Sequence, residues 1–160
     1  MISISTPRSP APNLIECAPN LFLAGTIDMG NSIDWQAFVI GMLQTSKVTA
    51  NIFNPRRANF SNEKSEERFQ INWELDALFS ANYIFMCFIA GSKSPISLLE
   101  LGFLLPRCTK DNLIVVADES FYRWDNIQLT CARFNIKPYT SIRQGLDVLT
   151  DKLRNHYVYV

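Results

Sequence analysis

The sequence predicts an α/β fold: a doubly wound, five-stranded parallel sheet with helices on both faces, in the flavodoxin-like arrangement. Three observations carry that expectation. Short apolar runs alternate with longer amphipathic segments along the chain. One run, "YIFMCFI" at 83–89, is apolar throughout, as a strand covered on both faces is. The 160 residues, 48% hydrophobic and 19% charged, suit one globular domain with a proper core.

The elements follow in order. The opening "MISISTPRSPAPN", rich in Ser and Pro, reads as a flexible arm or an edge extension, which sets an extension at 1–19 and the folded domain at 20–160. "NLFLAG" is a strand ending at Gly25, followed by the polar loop "TIDMGNS". "IDWQAFVIGMLQ" then has helical spacing, with Ile33, Phe38 (with Trp35) and Met42 as its apolar stripe. "TANIFNP" is a second strand, stopped by Pro55 ahead of a polar loop with Arg56 and Arg57. The next helix, 66–81, carries Ile71, Leu75, Leu78 and Phe79 on one stripe, and acidic residues in its first turn suit the helix dipole. "YIFMCFI" belongs mid-sheet. After "AGSK" comes a helix in "SPISLLELGFLL" (94–105), where Ser94 serves as N-cap and Pro95 as first helical residue. "NLIVVAD" is a fourth strand, 122–133 contains a helix, "NIKPY" is a short fifth strand, and an amphipathic helix runs from Ser141 to about Asn155.

Composition narrows the function. Fifteen basic and fifteen acidic residues leave no surplus charge for a nucleic-acid polymer or an anionic membrane. The N-terminus lacks the basic start and apolar core of a secretory signal, and no run reaches the roughly 18 apolar residues of a membrane span. Four dispersed cysteines form no CxxC pair, so reduced thiols in a cytoplasmic protein are expected, with no metal site. Gly25, Gly30 and Gly91 make neither GxGxxG nor a P-loop, so no dinucleotide or triphosphate cofactor is expected. His156 has no Ser or Cys motif to pair with.

In doubly wound sheets ligands bind beyond the C-terminal strand ends, near the switch in strand order. That selects the loops 25–31, 54–57, 90–94 and 118–122. Glu100 stands among Ile, Leu and Phe, where an unpaired carboxylate is costly. Helical spacing puts Ile96 and Ser97 on its face and leaves Leu98, Leu101 and Leu105 to the core, so Glu100 can point into the crevice as a nucleophile. The alternative is a helix residue paired with Arg107. Gln70 and Glu74, at i and i+4 beside Trp73, form a polar pair for a sugar hydroxyl or a base, or else a surface pair. Asp28 is a loop ligand or a cap. Arg56 and Arg57 offer a phosphate clamp or a solvated loop.

Several stretches together resemble one family: "LFLAGTIDMGNSIDWQ", "NPRR", "QINWELDALFSANYIFMCF", "SPISLLELGFLL" and "CARFNIKPYTSIRQGLDVL". Their order and spacing, over about residues 20 to 150, are similar to the nucleoside 2-deoxyribosyltransferase-like proteins, in the branch common in bacteria and phages. The resemblance implies cleavage of an N-glycosidic bond. Glu100 of the "ELG" segment would attack the anomeric carbon to give a glycosyl-enzyme, and a second base or water would take the sugar. Glu74 would protonate or orient the departing base, and Ala24 to Asp28, including Gly25 and Thr26, would line the pocket. Asn54, Arg56, Gln70, Trp73, Ser94 and Ser97 complete the expected substrate contacts, the arginines and serines leaving room for a nucleotide phosphate. The implied partners are a small-molecule nucleoside or nucleotide and further copies of the chain in a homo-oligomer. Two positions depart from the family pattern: Phe22 stands where better-known transferases have tyrosine, and Ser92, Lys93 and Ser94 where they carry an acidic residue before the nucleophile.

Overall fold

The computed structural model describes residues 1–9, 13–57 and 63–156. Strands β1 (Ile2–Ser5), β2 (Asn20–Gly25), β3 (Ala50–Phe53), β4 (Tyr83–Phe88) and β5 (Leu113–Ala117) form one parallel sheet in the order β1-β3-β2-β4-β5. Helices α1 (Trp35–Thr45), α2 (Lys64–Ser80), α3 (Pro95–Leu104), α4 (Trp124–Arg133) and α5 (Ile142–Asn155) complete the flavodoxin-like, doubly wound architecture. No described helix is long and apolar enough to cross a membrane.

From β2 the chain moves outward to β3, then crosses back to β4 and β5 on the other side. Parallel crossovers are right-handed, so this reversal throws α1 and α2 onto opposite faces. α1 and α5 cover one face, where Trp35, Val39, Leu43, Leu146 and Leu149 pack on Leu21, Leu23, Phe85 and Cys87. α2, α3 and α4 cover the other, where Leu78, Leu101, Leu104 and Ile127 pack on Phe22, Ala24, Met86 and Phe88. Alternate residues of β4 thus enter two different cores, which is why its sequence is apolar without alternation. The reversal also parts the chain between the C-terminal ends of β2 and β4, and the candidate site lies there.

The structure changes four details of the sequence reading. The fifth strand is not "NIKPY": Tyr139 makes only an isolated parallel bridge to Val116, because Pro138 beside it has no N–H to continue a ladder. The sheet reaches five strands through β1, which pairs with β3 from Ile2–Ala50 to Ser5–Phe53. In α1 the buried stripe is Trp35, Val39 and Leu43, while Ile33 and Phe38 are exposed. In α2 it is Ala77 and Leu78, with Ile71 and Phe79 exposed. Both stripes contain more apolar residues than one face holds, so spacing alone left their phase ambiguous.

Candidate active site

β2 ends where Gly25, at φ +126°, turns the chain across the end of β4; a Cβ here would run into the Cys87 carbonyl. The turn is closed by Thr26 N–H donating to that carbonyl at 2.8 Å. Buried Trp35 then donates its indole N–H to the Thr26 carbonyl at 2.8 Å, fixing the loop to α1 from below. After Ile27, at φ −126°, the backbone enters the left-handed region at Asp28 (φ 49°) and Met29 (φ 53°). Asp and Asn tolerate that region better than most residues.

α3 starts at Pro95 as its sequence predicts, but Ser94 does not cap it through its side chain; it sits at φ 43°, ψ 50°. Its hydroxyl instead joins a hydrogen-bonded chain of the buried Thr26, Ser94 and Ser92 that ends on the exposed Asp28. Thr26 Oγ1 and Ser94 Oγ are 2.6 Å apart, Ser94 Oγ and Ser92 Oγ are 2.8 Å apart, and Ser92 Oγ donates to Asp28 Oδ1 at 2.8 Å. At the other end the Ile89 N–H donates to Thr26 Oγ1 at 3.0 Å. This chain stitches the loop after β2 to the loop after β4 and holds the start of α3 in place.

A cavity of about 330 Å³ opens between these loops and α2, within the size range of small-molecule sites. Its walls include Phe22, Ala24, Gly25, Thr26, Ile27, Asp28, Gln70, Glu74, Ser94, Ser97 and Glu100. Of the residues singled out in the sequence, Gly25, Thr26, Asp28, Gln70, Glu74, Ser94, Ser97 and Glu100 therefore meet at one surface. Met29 and Pro55, from the selected loops 25–31 and 54–57, and Pro95 at the start of α3 join them, although none was singled out as a contact.

Three expected contacts lie outside these walls. Trp73 packs behind them, its ring 6.5 Å from Phe22 and 6.2 Å from Phe53. Arg56 does not stand ready to clamp a phosphate: it donates to the carbonyls of Gly30 at 2.9 Å, Ser32 at 2.6 Å and Ile33 at 3.3 Å. Its Nε is 3.5 Å from Asp34 Oδ2. Asn54 serves Arg56 in turn, accepting its backbone N–H at 3.0 Å. The guanidinium fork thus staples the loop after β2 through carbonyls that lie outside the strands and the α-helices.

Glu100 is 9% exposed, on the same face of α3 as Ile96 and Ser97. Arg107 lies over the Phe79 ring instead, 5.2 Å from its centroid. Burial, and then the nearby charge of Glu74, push the Glu100 carboxyl up to about 8. Burial also raises Glu74, against the pull of the Gln70 side chain and Arg57. Gln70 Nε2 donates to Glu74 Oε1 at 2.7 Å and to the Pro55 carbonyl at 3.3 Å, which fixes the carboxyl's orientation. Both carboxyls line one cavity and are desolvated, and the charge of Glu74 adds to the rise at Glu100, the kind of environment in which carboxyl pairs do acid–base work. No group of three or more His, Cys, Asp or Glu side chains among the described residues is placed to hold a metal ion.

Comparison with known proteins agrees with this geometry. The family model described as "Nucleoside 2-deoxyribosyltransferase like" matches residues 18–121, a span that takes in β2 to β5 and every wall of the cavity. Comparison with curated proteins gave no match. With its doubly wound sheet and a carboxylate pair at the strand-order switch, the chain belongs to the nucleoside 2-deoxyribosyltransferase-like family.

Proposed function

We propose that this protein cleaves the N-glycosidic bond of a (deoxy)nucleoside or nucleotide and passes the glycosyl group to a second nucleobase, with Glu100 as nucleophile and Glu74 as proton carrier. The observation that carries the reading is the pair itself: Glu74 and Glu100 line one cavity, both shielded from water and both raised. Before substrate enters, Glu100, whose carboxyl is shifted to about 8, holds a proton at neutral pH. Passing it to Glu74 yields the two forms the reaction needs, a carboxylate at Glu100 and an acid at Glu74.

A Glu100 oxygen then attacks the anomeric carbon as the C–N bond breaks, and the departing nitrogen takes the electron pair and the Glu74 proton. The glycosyl ester at Glu100 is attacked by a nitrogen of the second base, whose proton returns to Glu74. Water in place of that base gives hydrolysis. The exposed apolar side chains of Ile96, at the cavity wall, and Leu99, also on α3, favour a homo-oligomer that covers them.

The test is chromatography of reactions containing the purified protein, a panel of deoxynucleosides and deoxynucleotides, and a second free base. A new nucleoside is expected, and it should disappear with Glu100→Gln, since an amide is a poor nucleophile. Glu74→Gln should lower turnover by roughly 10²- to 10⁴-fold, the usual worth of proton transfer. Free base and free sugar alone would mean hydrolysis, and an unchanged panel would overturn the reading.

A further inference from the structure

Three side chains of α2 form a polar stripe that leads to the cavity. Glu66, Gln70 and Glu74 are spaced at i, i+4 and i+8, so they follow one another along a single side of the helix. The loop after β3 lies against that stripe. Arg57 Nη1 is 3.4 Å from Glu66 Oε2, and Gln70 Nε2 donates both to the Pro55 carbonyl and to Glu74 Oε1. Segment 55–57 is thereby fastened to α2 at both ends, Pro55 by Gln70 and Arg57 by Glu66.

The charges along the stripe leave a positive excess. Glu66 also faces Arg8, whose Nη2 is 2.9 Å from its Oε1 and whose guanidinium lies 3.6 Å from the centre of the Phe69 ring. Two arginines thus share one carboxylate. The Arg8 side chain is 54% exposed, where water and salt screen it, but that of Arg57 is only 11% exposed. A poorly hydrated charge acts over a longer distance than one at the surface. The other groups around Glu74 are neutral or acidic: Gln70 on its own helix, Glu100 from α3 and Asp28 from the loop after β2. Residues 58–62, which follow Arg57 in the chain, contain no charged side chain. Burial favours the protonated form of Glu74, and Arg57 draws it the other way.

We propose that Arg57 is a positioning residue for the N-glycosidic reaction: anchored on Glu66, it supplies the counter-charge for the carboxylate that Glu74 becomes each time it gives up its proton. When that proton passes to the departing nitrogen, a negative charge is left on a carboxyl shielded from water. Arg57 bears on this charge from outside the cavity walls, without touching substrate. Glu74 then waits as a carboxylate for the proton of the incoming base. The proposal rests on the glycosidic reading above and adds to it the residue that sets how readily Glu74 ionises.

The experiment follows Glu74 in wild type, Arg57→Gln and Arg57→Lys by two readouts. The first is a carbon-13 NMR titration of the glutamate carboxyls, with the Glu74 signal assigned by its loss in Glu74→Gln. Its midpoint should move to higher pH in Arg57→Gln, where the cation is gone, and return towards wild type in Arg57→Lys. The second is the pH profile of kcat/KM on a 2′-deoxynucleoside with a second base. The productive pair carries one proton, so the acid limb reports loss of the first, that of Glu74, since Glu100 holds its own to about 8. Arg57→Gln should lower the ratio of kcat/KM at pH 5 to that at pH 7.5 at least about threefold, and Arg57→Lys should restore it. Loss of folded structure alone would lower both values by the same factor. A midpoint or an acid limb that stays in place in Arg57→Gln, or moves as far in Arg57→Lys, overturns the proposal and leaves the glycosidic reading intact. If wild type turns over no nucleoside, that reading fails and the titration alone decides: a midpoint that rises only when the cation is lost upholds the counter-charge, and any other result overturns it. Arg57→Met gives a second uncharged variant should Arg57→Gln fail to fold.

Discussion

Glu100 loses most of its water to the cavity walls and faces the charge of Glu74, so its carboxyl titrates near 8 where its ordinary value is 4.5. An acid whose folded pKa is raised holds its proton longer in the native state than in the unfolded chain. No penalty applies below about pH 4.5; it grows as pH rises and is complete above about 8. A displacement of that size corresponds at most to about 5 kcal/mol. The cavity opens to water, and we expect Glu100→Gln to be more stable than wild type by about 2 kcal/mol at pH 8.5 and nearly equal at pH 4.5. Denaturant melts of the two proteins at both values check this; a gap that does not widen with pH would show that Glu100 is not desolvated. At this scale the sequence was legible where a residue type is out of place, as a glutamate among leucines is. It was misleading at Arg56, because the carbonyls that claim its guanidinium are backbone atoms with no sequence signature.

The loop after β2 is an element whose shape depends on close approach. Gly25 pairs with Cys87 in the β2–β4 register, and its φ of +126° lets the chain cross the strand end with no side chain in the way. Gly25→Ala adds a Cβ against backbone that cannot move aside and forces a conformation L side chains rarely adopt. It should cost roughly 2–4 kcal/mol and sharply lower turnover, because the loop then cannot place Thr26 and Asp28. Thermal unfolding beside activity measures both, and a stable, active Gly25→Ala protein would refute this account of the loop. The strand, its terminal glycine and the following loop were readable from "NLFLAGTIDMG". The hydroxyl chain was not: Ser92 and Ser94 are 64 or more residues from their partners Asp28 and Thr26, and only the parallel pairing of β2 with β4 brings them together.

Across the whole molecule, β1 is the edge of the sheet. It covers the outer side of β3, and the amino group of Met1 donates to the Val48 carbonyl at 2.9 Å. Removing residues 1–9 would bare the edge of β3, an open row of backbone groups prone to pair with other chains. The truncated protein should lose about 1–3 kcal/mol of stability and aggregate more readily, as calorimetry and light scattering would register. An unchanged melting temperature would mean that β1 adds nothing to the sheet. The Ser- and Pro-containing opening left a flexible arm and an edge extension both open, because an edge strand has no second neighbour to demand apolar residues; the structure takes the edge extension.

By itself the sequence determined the fold class and the order of β2, β3, β4 and β5 along the chain, and it singled out Glu74 and Glu100 as candidates. The elements rest on local spacing, Glu100 on a residue type placed against its surroundings, and Glu74 on its spacing from Gln70 together with the family resemblance. The tertiary structure decided which face of α1 and α2 is buried, that β1 and not "NIKPY" fills the fifth place, and what Arg56, Ser92 and Asp28 do. Those outcomes depend on contacts between segments far apart in sequence, where a backbone carbonyl, a strand edge or the one hydroxyl proton of a serine selects its partner by position in space.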